Sequence, residues 1–189
     1  MKILSGQYRG RNIYMPHGIR PTPNILRKAI FDILGQDLTG MVILELFAGS
    51  GAIGLEALSL GAKMVTFVER EPLCSRVIEE NLKLLNIPSY ENGQIRYQVI
   101  PSDVFAAIKQ MARLGKKFDC IILDPPYGEE LGKKVLKLLT SYDILHPVCY
   151  LIIQFDKWET LPKAEGPFRL IKERKYGTSF LAVYERKPS

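Results

Sequence analysis

The stretch from Val42 to Gly61 constrains the fold of this chain more than any other part. It opens with an apolar run typical of a buried parallel strand, passes through the glycine turn Gly49-Ser50-Gly51, and continues with apolar residues at helical spacing. Glycines let the backbone bend tightly and approach a ligand, and a helix N-terminus offers unpaired N–H groups. The stretch therefore predicts a nucleotide-type binding site at the end of a strand.

The remainder of the chain alternates between strand and helix patterns, which predicts a doubly wound α/β sheet. The predicted strands cover residues 64–68, 95–100, 118–123 and 148–155, and the predicted helices cover residues 51–60, 72–85, 104–114 and 129–140. Two further strands, 168–176 and 179–185, meet at Gly177-Thr178 and predict an antiparallel pair. With the strand at Val42, these segments predict a seven-stranded, mostly parallel sheet.

The glycine turn is open to a second interpretation. Gly49-x-Gly51-x-x-Gly54 satisfies the dinucleotide-binding fingerprint, and Glu69 lies twenty residues beyond Gly49, where an acid would meet a ribose hydroxyl. An enzyme that transfers hydride with NAD is therefore one possible reading of this stretch.

The segment after the predicted strand 118–123 favours a different chemistry. It reads Asp124-Pro125-Pro126-Tyr127, and two successive prolines remove two backbone donors and hold the chain in a stiff, extended turn. The carbonyl groups there point outward beside a carboxylate and an aromatic ring. Acceptors and a stacking face suit a planar base that bears an amino group, and they have little use in hydride transfer.

The first 40 residues are basic relative to the rest. They hold six Lys or Arg and two Asp side chains in a chain with a net charge of +6. Short β-prone runs at 2–5 and 11–15 predict a hairpin with an arginine-bearing tip. Asn24 predicts the N-cap of a following helix, with Arg27 pointing away from its apolar face. We expect this basic arm to contact a polyanion, although a solvated surface is the alternative interpretation.

Composition narrows the class of protein further. Hydrophobic residues make up 47% and charged residues 24% of the chain, values that are typical of a globular protein. With three scattered cysteines, two histidines and no CxxC motif, we expect no metal site. The chain lacks a signal-peptide pattern and an apolar run of membrane-spanning length, so we expect a cytoplasmic location.

At this point the motifs resemble a known group of enzymes. Glu45-x-Phe47-x-Gly49-x-Gly51, combined with Asp124-Pro125-Pro126-Tyr127, resembles the S-adenosylmethionine-dependent methyltransferases that modify exocyclic amino groups of bases. Four further segments resemble the RsmD family, which makes N2-methylguanine in bacterial small-subunit (16S) ribosomal RNA. They are 5–11 (SGQYRGR), 20–22 (RPT), 55–58 (LEAL) and 174–177 (RKYG).

The resemblance implies a Rossmann-like class I methyltransferase fold, with residues 1–40 as an RNA-docking arm and residues 41–189 as the catalytic core. It implies that the Asp124 carboxylate and the Pro125 carbonyl grip the guanine amino group, with Pro126 fixing their direction and Tyr127 stacking on the base. The expected RNA-binding residues are Arg9, Arg11, Arg20, Thr22 and Arg27. The substrate is expected to be ribosomal RNA, within a small-subunit particle.

The cofactor site is expected at the carboxyl ends of the first strands. Glu69 would accept hydrogen bonds from the ribose hydroxyls, Asp103 from the adenine amino group, and Glu45 would meet the methionine ammonium. The alternatives for Glu69 and Asp103 are surface carboxylates or helix caps. The expected cofactor-binding residues are Glu45, Phe47, Gly49, Ser50, Gly51, Glu69, Arg70, Asp103 and Val104.

Three alternatives to this function stay open on sequence alone. One is an adenine-N6 or other amino methyltransferase that acts on DNA or RNA, because the Asp124–Tyr127 motif does not separate these substrates. The others are the NAD-dependent oxidoreductase and a non-catalytic RNA-binding assembly factor. Outside the site, Phe155 and Trp158 are predicted to be packing residues in preference to platforms for bases, and a place for Arg174–Tyr176 beside the RNA cleft is left open.

Overall fold

The computed structural model describes residues 1–19, 21–126 and 128–186. The helices are α1 (Asn24–Leu34), α2 (Ala52–Ser59), α3 (Pro72–Leu84), α4 (Val104–Arg113) and α5 (Leu131–Leu139). The strands are β1 (Val42–Leu46), β2 (Met64–Glu69), β3 (Tyr90–Glu91), β4 (Gln94–Ile95), β5 (Tyr97–Pro101), β6 (Phe118–Leu123), β7 (Leu145–Asp156), β8 (Ala164–Glu165), β9 (Phe168–Tyr176) and β10 (Ser179–Arg186).

The main sheet has the strand order β5-β2-β1-β6-β7-β10-β9-β8. The five strands from β5 to β7 pair in parallel, and the last three join in antiparallel fashion. This confirms the predicted mostly parallel α/β sheet, with eight strands instead of seven. The additional strand, β8, has only two residues and pairs with the start of β9.

The strand order places a crevice beside β1. The chain moves outward from β1 to β2 and β5, then returns to β6 on the other side of β1. In open α/β sheets, ligands bind outside the carboxyl ends of the strands at such a reversal. Leu46 pairs with Leu123, so the segments that follow β1 and β6 leave the sheet side by side at this edge.

The end of the sheet differs from that of a dehydrogenase. β10 lies between β7 and β9 and is antiparallel to both, with Ser179 opposite Asp156 at one end of the ladder. A dehydrogenase would have a parallel sixth strand here. The arrangement also brings the turn between β9 and β10 to the carboxyl edge of the parallel strands.

Two strand boundaries were predicted wrongly, and one of them is the start of β7, which lies at Leu145 instead of residue 148. The predicted strand 95–100 is divided between Gln94–Ile95, which forms a separate hairpin with Tyr90–Glu91, and β5, which begins at Tyr97. Arg96 interrupts the ladder because its own N–H donates to the Ser89 carbonyl.

The basic arm is attached to the core. Lys2 and Asn12 form an antiparallel bridge, as the predicted hairpin requires, but the tip is held against α2, where Gln7 N–H donates to Ser59 O at 2.8 Å. Gly6 is needed at this contact, because a Cβ there would lie 2.0 Å from the same carbonyl oxygen. Ile3 and Ile13 are buried in one cluster with side chains of the sheet.

A buried ion pair anchors the same arm and corrects the prediction for Arg27. Arg27 is fully buried and donates to Glu56 Oε2 at 3.2 Å, while the Glu56 carboxylate also accepts the backbone N–H groups of Leu4 and Ser5. Arg27 therefore points inward, because it neutralises a carboxylate that holds the arm. Asn24 is not the N-cap of α1, since its side-chain oxygen accepts a hydrogen bond from Arg27 instead.

No helix in the described ranges is both long and apolar enough to span a bilayer.

Candidate active site

A cavity of about 450 Å³ opens where β1 and β6 end. Drug-sized and cofactor-sized ligands occupy cavities of about 300–1,000 Å³, so the volume suits such a ligand. Its lining draws on the turns after four strands and on the arm, and includes Ile19, Thr22, Glu45, Phe47, Gly49, Ser50, Glu69, Arg70, Asp103, Val104, Asp124, Pro125, Pro126 and Gln154.

The turn after β1 is built from left-handed backbone. Phe47 has φ 59°, and Gly49 and Gly51 have φ 53° and 73°. A non-glycine residue in this region costs of order 1–3 kcal/mol and is typical of functional sites. The Gly49 N–H donates to Glu69 Oε2 at 2.7 Å, so the carboxylate at the end of β2 holds the turn in place.

The structure gives Gly51 a packing role, and its predicted contact with the cofactor stays a prediction. It does not line the cavity. It lies at the N-cap of α2, and a Cβ there would approach the Ile78 and Phe67 side chains to 3.1 and 3.2 Å. Gly51 therefore shapes the turn and packs it on the core, while Gly49 and Ser50 face the cavity.

Glu45 is a buried acid of the site with a raised pKa. It is almost fully buried, and its Oε2 accepts the Gly54 N–H at 2.9 Å. Burial, and to a lesser degree the neighbouring Asp124 and Glu69 carboxylates, raise the pKa of Glu45 to about 8. A cationic group in the cavity would favour the charged form of this acid.

Gly54 completes the Glu45 pocket. A Cβ at Gly54 would lie 2.6 Å from Glu45 Oε2 and 2.3 Å from the Phe67 ring. The third glycine of the dinucleotide-like pattern is therefore required by a buried carboxylate and an aromatic ring.

Glu69 and Asp103 both line the cavity, and both carboxylates also accept hydrogen bonds from nearby backbone N–H groups. The Glu69 oxygens accept the N–H groups of Gly49 and Glu71, and Asp103 Oδ1 accepts those of Phe105 and Ala106 at the start of α4. The helix-cap alternative for Asp103 is thus realised. Each carboxylate has further lone pairs, so a cap and a ligand contact are compatible.

Asp124 is held by the arm. Thr22 Oγ1 donates to Asp124 Oδ2 at 2.5 Å, and both residues line the cavity. Thr22 was predicted to contact RNA, and the structure places it against the carboxylate of the predicted catalytic motif. Pro125 is buried and Pro126 is exposed at the rim. The predicted sites Tyr127 and Arg20 lie outside the described residues.

A family comparison covers almost the whole chain. The family model described as "Conserved hypothetical protein 95" matches residues 1–185. The chain belongs to this family. The resemblance to RsmD is confirmed, because relatives of this chain carry that name. "Ribosomal RNA small subunit methyltransferase D" of Escherichia coli K12 is 29% identical over 99% of this chain and 90% of its own.

Solved structures agree with this membership. "Putative methyltransferase yhhF" from Escherichia coli superposes with a TM-score of 0.86 at 28% identity, over 100% of this chain and 99% of its own. An "RNA methyltransferase from Salinibacter ruber in complex with S-Adenosyl-L-homocysteine" superposes with a TM-score of 0.67 at 14% identity, over 90% of this chain and 95% of its own. The latter shows the shared fold alone.

The predicted RNA-binding arginines differ in how accessible the structure leaves them. Arg9 is exposed on the arm. Arg11 is tethered, since its guanidinium donates to the carbonyls of Leu84 and Leu85 at the end of α3. Arg27 is buried in the ion pair with Glu56, so it is not available to RNA.

Asn81 was missed by the sequence reasoning. This fully buried residue of α3 exchanges hydrogen bonds with the Tyr14 backbone, accepting from N at 2.6 Å and donating to O at 3.1 Å. Its amide also donates to Ser50 O at 3.2 Å in the glycine turn. The available signal was a polar residue on the apolar face of a helix, beside Ile78 and Leu82.

Proposed function

We propose that this chain transfers a methyl group from S-adenosylmethionine to the N2 amino group of a guanine in 16S ribosomal RNA, within a small-subunit particle in the cytoplasm. As a member of the RsmD family, it is an S-adenosylmethionine-dependent rRNA methyltransferase. One observation carries the proposal: Asp124 of the amino-methylation motif and Glu69 of the cofactor motif line a single cavity.

The residues at the cavity fit the cofactor. The left-handed turn leaves open space at Gly49, where the nearest atom to an added Cβ is 3.8 Å away, so a ligand can approach the backbone closely. Glu69 would hold the ribose hydroxyls, Asp103 the adenine amino group, and Glu45 the methionine ammonium. Bound there, S-adenosylmethionine supplies an electrophilic methyl group.

The chain's own residues then position the acceptor. The Asp124 carboxylate and the Pro125 carbonyl would accept the two N–H groups of guanine N2, which localises the nitrogen lone pair for in-line attack. Holding two reactants in a reactive geometry can lower the barrier by about 7–11 kcal/mol. No strong base is needed, because the amine loses its proton after the new bond has formed. Thr22 fixes the carboxylate through its hydroxyl.

A paired guanine cannot reach this cavity, so the base must be flipped or splayed from the RNA. The arm would hold the surrounding RNA through exposed basic residues such as Arg9 and Lys28. Arg20 and Tyr127 stay predictions, as a phosphate contact and a stacking ring.

The test is methylation of small-subunit particles from a strain that lacks this enzyme. The particles are incubated with the protein and labelled S-adenosylmethionine, and the RNA is digested to nucleosides. We expect the label in N2-methylguanine, and Asp124→Ala should abolish it while S-adenosylhomocysteine still binds. Label in N6-methyladenine would favour the alternative amino methyltransferase, and no label in any particle would favour the assembly factor.

A further inference from the structure

Trp158, the single tryptophan of the chain, lies on the surface with a relative exposure of 82% for the residue. This corrects the prediction that it is a packing residue, whereas Phe155 is buried as predicted. An aromatic ring that stays exposed to water contributes little to the stability of the fold, and exposed aromatic rings are enriched where proteins bind partners.

The loop that carries Trp158 is fixed to the rim of the cavity. The Trp158 backbone N–H donates to Asp156 Oδ1 at 3.0 Å, and Glu159 Oε1 accepts the Glu130 backbone N–H at 3.0 Å. Glu130 lies between Glu129 and Leu131, which line the cavity. The backbone that carries the ring is therefore fixed beside the segment that follows the Asp124 motif.

A basic side chain lies on the ring itself. The Lys157 ammonium lies 4.4 Å from the centre of the Trp158 ring. Ser179 pairs with Asp156, so the turn between β9 and β10 is adjacent, and Lys175 lies two residues before this turn. The nearby acids Asp156 and Glu159 accept backbone N–H groups within the loop, which occupies part of their hydrogen-bonding capacity.

The position also complements that of the arm. The hairpin of the arm is held on α2 and on the end of α3, which connect β1, β2 and β5, whereas Trp158 follows β7 on the other side of β6. RNA that contacts the hairpin tip and brings a guanine to Asp124 would therefore meet the Trp158 loop on the opposite side of the cavity.

We propose that Trp158 and Lys157 form a second RNA-binding surface, on which an unpaired base next to the target stacks on the indole while the ammonium meets its phosphate. This inference rests on the proposed function, because it takes RNA as the occupant of the cleft. Base stacking on aromatic rings tolerates any sequence and needs only one open ring face, which Trp158 offers.

The single tryptophan allows a direct test. Full-length 16S rRNA is titrated into the wild-type protein saturated with S-adenosylhomocysteine, and tryptophan emission is recorded. We expect strong quenching that saturates with RNA binding, because Trp158 is the sole source of the signal. Emission that stays unchanged while RNA binds by an independent measure would overturn the proposal.

Variants give the second readout. Trp158→Ala should weaken RNA binding about 5- to 150-fold at fixed salt and leave S-adenosylhomocysteine affinity unchanged, and Trp158→Phe should recover part of the loss. Tyr90→Ala is the matched control, since Tyr90 is also an exposed ring but lies on the hairpin at the amino edge of the sheet. Lys157→Ala should reduce the salt slope by about one unit.

The outcomes separate the two proposals. Equal RNA affinity of Trp158→Ala and Tyr90→Ala would overturn the second surface even if the wild type makes N2-methylguanine. A loss seen only with assembled particles, and not with naked rRNA, would assign Trp158 to a protein partner and also overturn it. Absence of methyl transfer by the wild type, with Trp158 quenching intact, would instead contradict the proposed function.

Discussion

Proton release on cofactor binding follows from the buried Glu45. With the pKa of Glu45 raised to about 8, roughly nine-tenths of the carboxyl is protonated at pH 7 in the free protein. If the ammonium group of S-adenosylhomocysteine binds beside it, the carboxylate form is favoured and the proton leaves. We expect close to one proton released per ligand at pH 7, and an affinity that rises about tenfold from pH 6 to pH 7.

Isothermal titration calorimetry checks this directly. The apparent binding enthalpy is measured at pH 7 in two buffers of different ionisation enthalpy, and the difference gives the number of protons released. Glu45→Gln is the control, because its amide oxygen can still accept the Gly54 N–H while the group no longer titrates. No proton release from the wild type, or equal release from Glu45→Gln, would refute the assignment of Glu45 to the ammonium group.

Three further substitutions test other contacts. Thr22→Val should lower kcat about 10- to 100-fold without changing S-adenosylhomocysteine affinity, because a hydrogen bond to a charged group contributes about 1.5–3 kcal/mol. Thr22→Ser keeps the hydroxyl and should restore the rate, and steady-state kinetics would measure both variants. Arg27→Met should lower the free energy of unfolding by about 3–5 kcal/mol, since it leaves the Glu56 carboxylate buried without its cation. Urea denaturation would measure this loss, with Lys28→Met, a substitution of an exposed residue, as the control. Gly54→Ala should weaken S-adenosylhomocysteine binding at least about tenfold by displacing Glu45, and unchanged affinity by calorimetry would contradict that role.

The features predicted most accurately from sequence were those formed by contiguous residues. The apolar strand, the glycine turn and the helix after it are contiguous, so their pattern is visible without the fold. The positions of Asp124 and Glu69 also follow from sequence, because parallel strands deliver their carboxyl ends to one edge of the sheet.

Contacts between distant segments were not predictable in this way. Arg27 looked like a solvated helix residue, and its partner Glu56 lies 29 residues further on. Thr22 looked like an RNA contact, and the carboxylate that it binds is 102 residues away. Whether such a polar residue faces water or a buried partner depends on which helices the fold brings together, and apolar periodicity does not report that.

The pairing of Leu46 with Leu123 has a consequence for the accuracy of this enzyme. The loop proposed to approach the donor and the loop proposed to grip the acceptor continue directly from these paired residues of two adjacent, buried strands. A displacement of about 1 Å between reacting groups can cost about a hundredfold in rate. Substitutions deep between β1 and β6 that shift one strand along the other should therefore impair turnover before they unfold the chain.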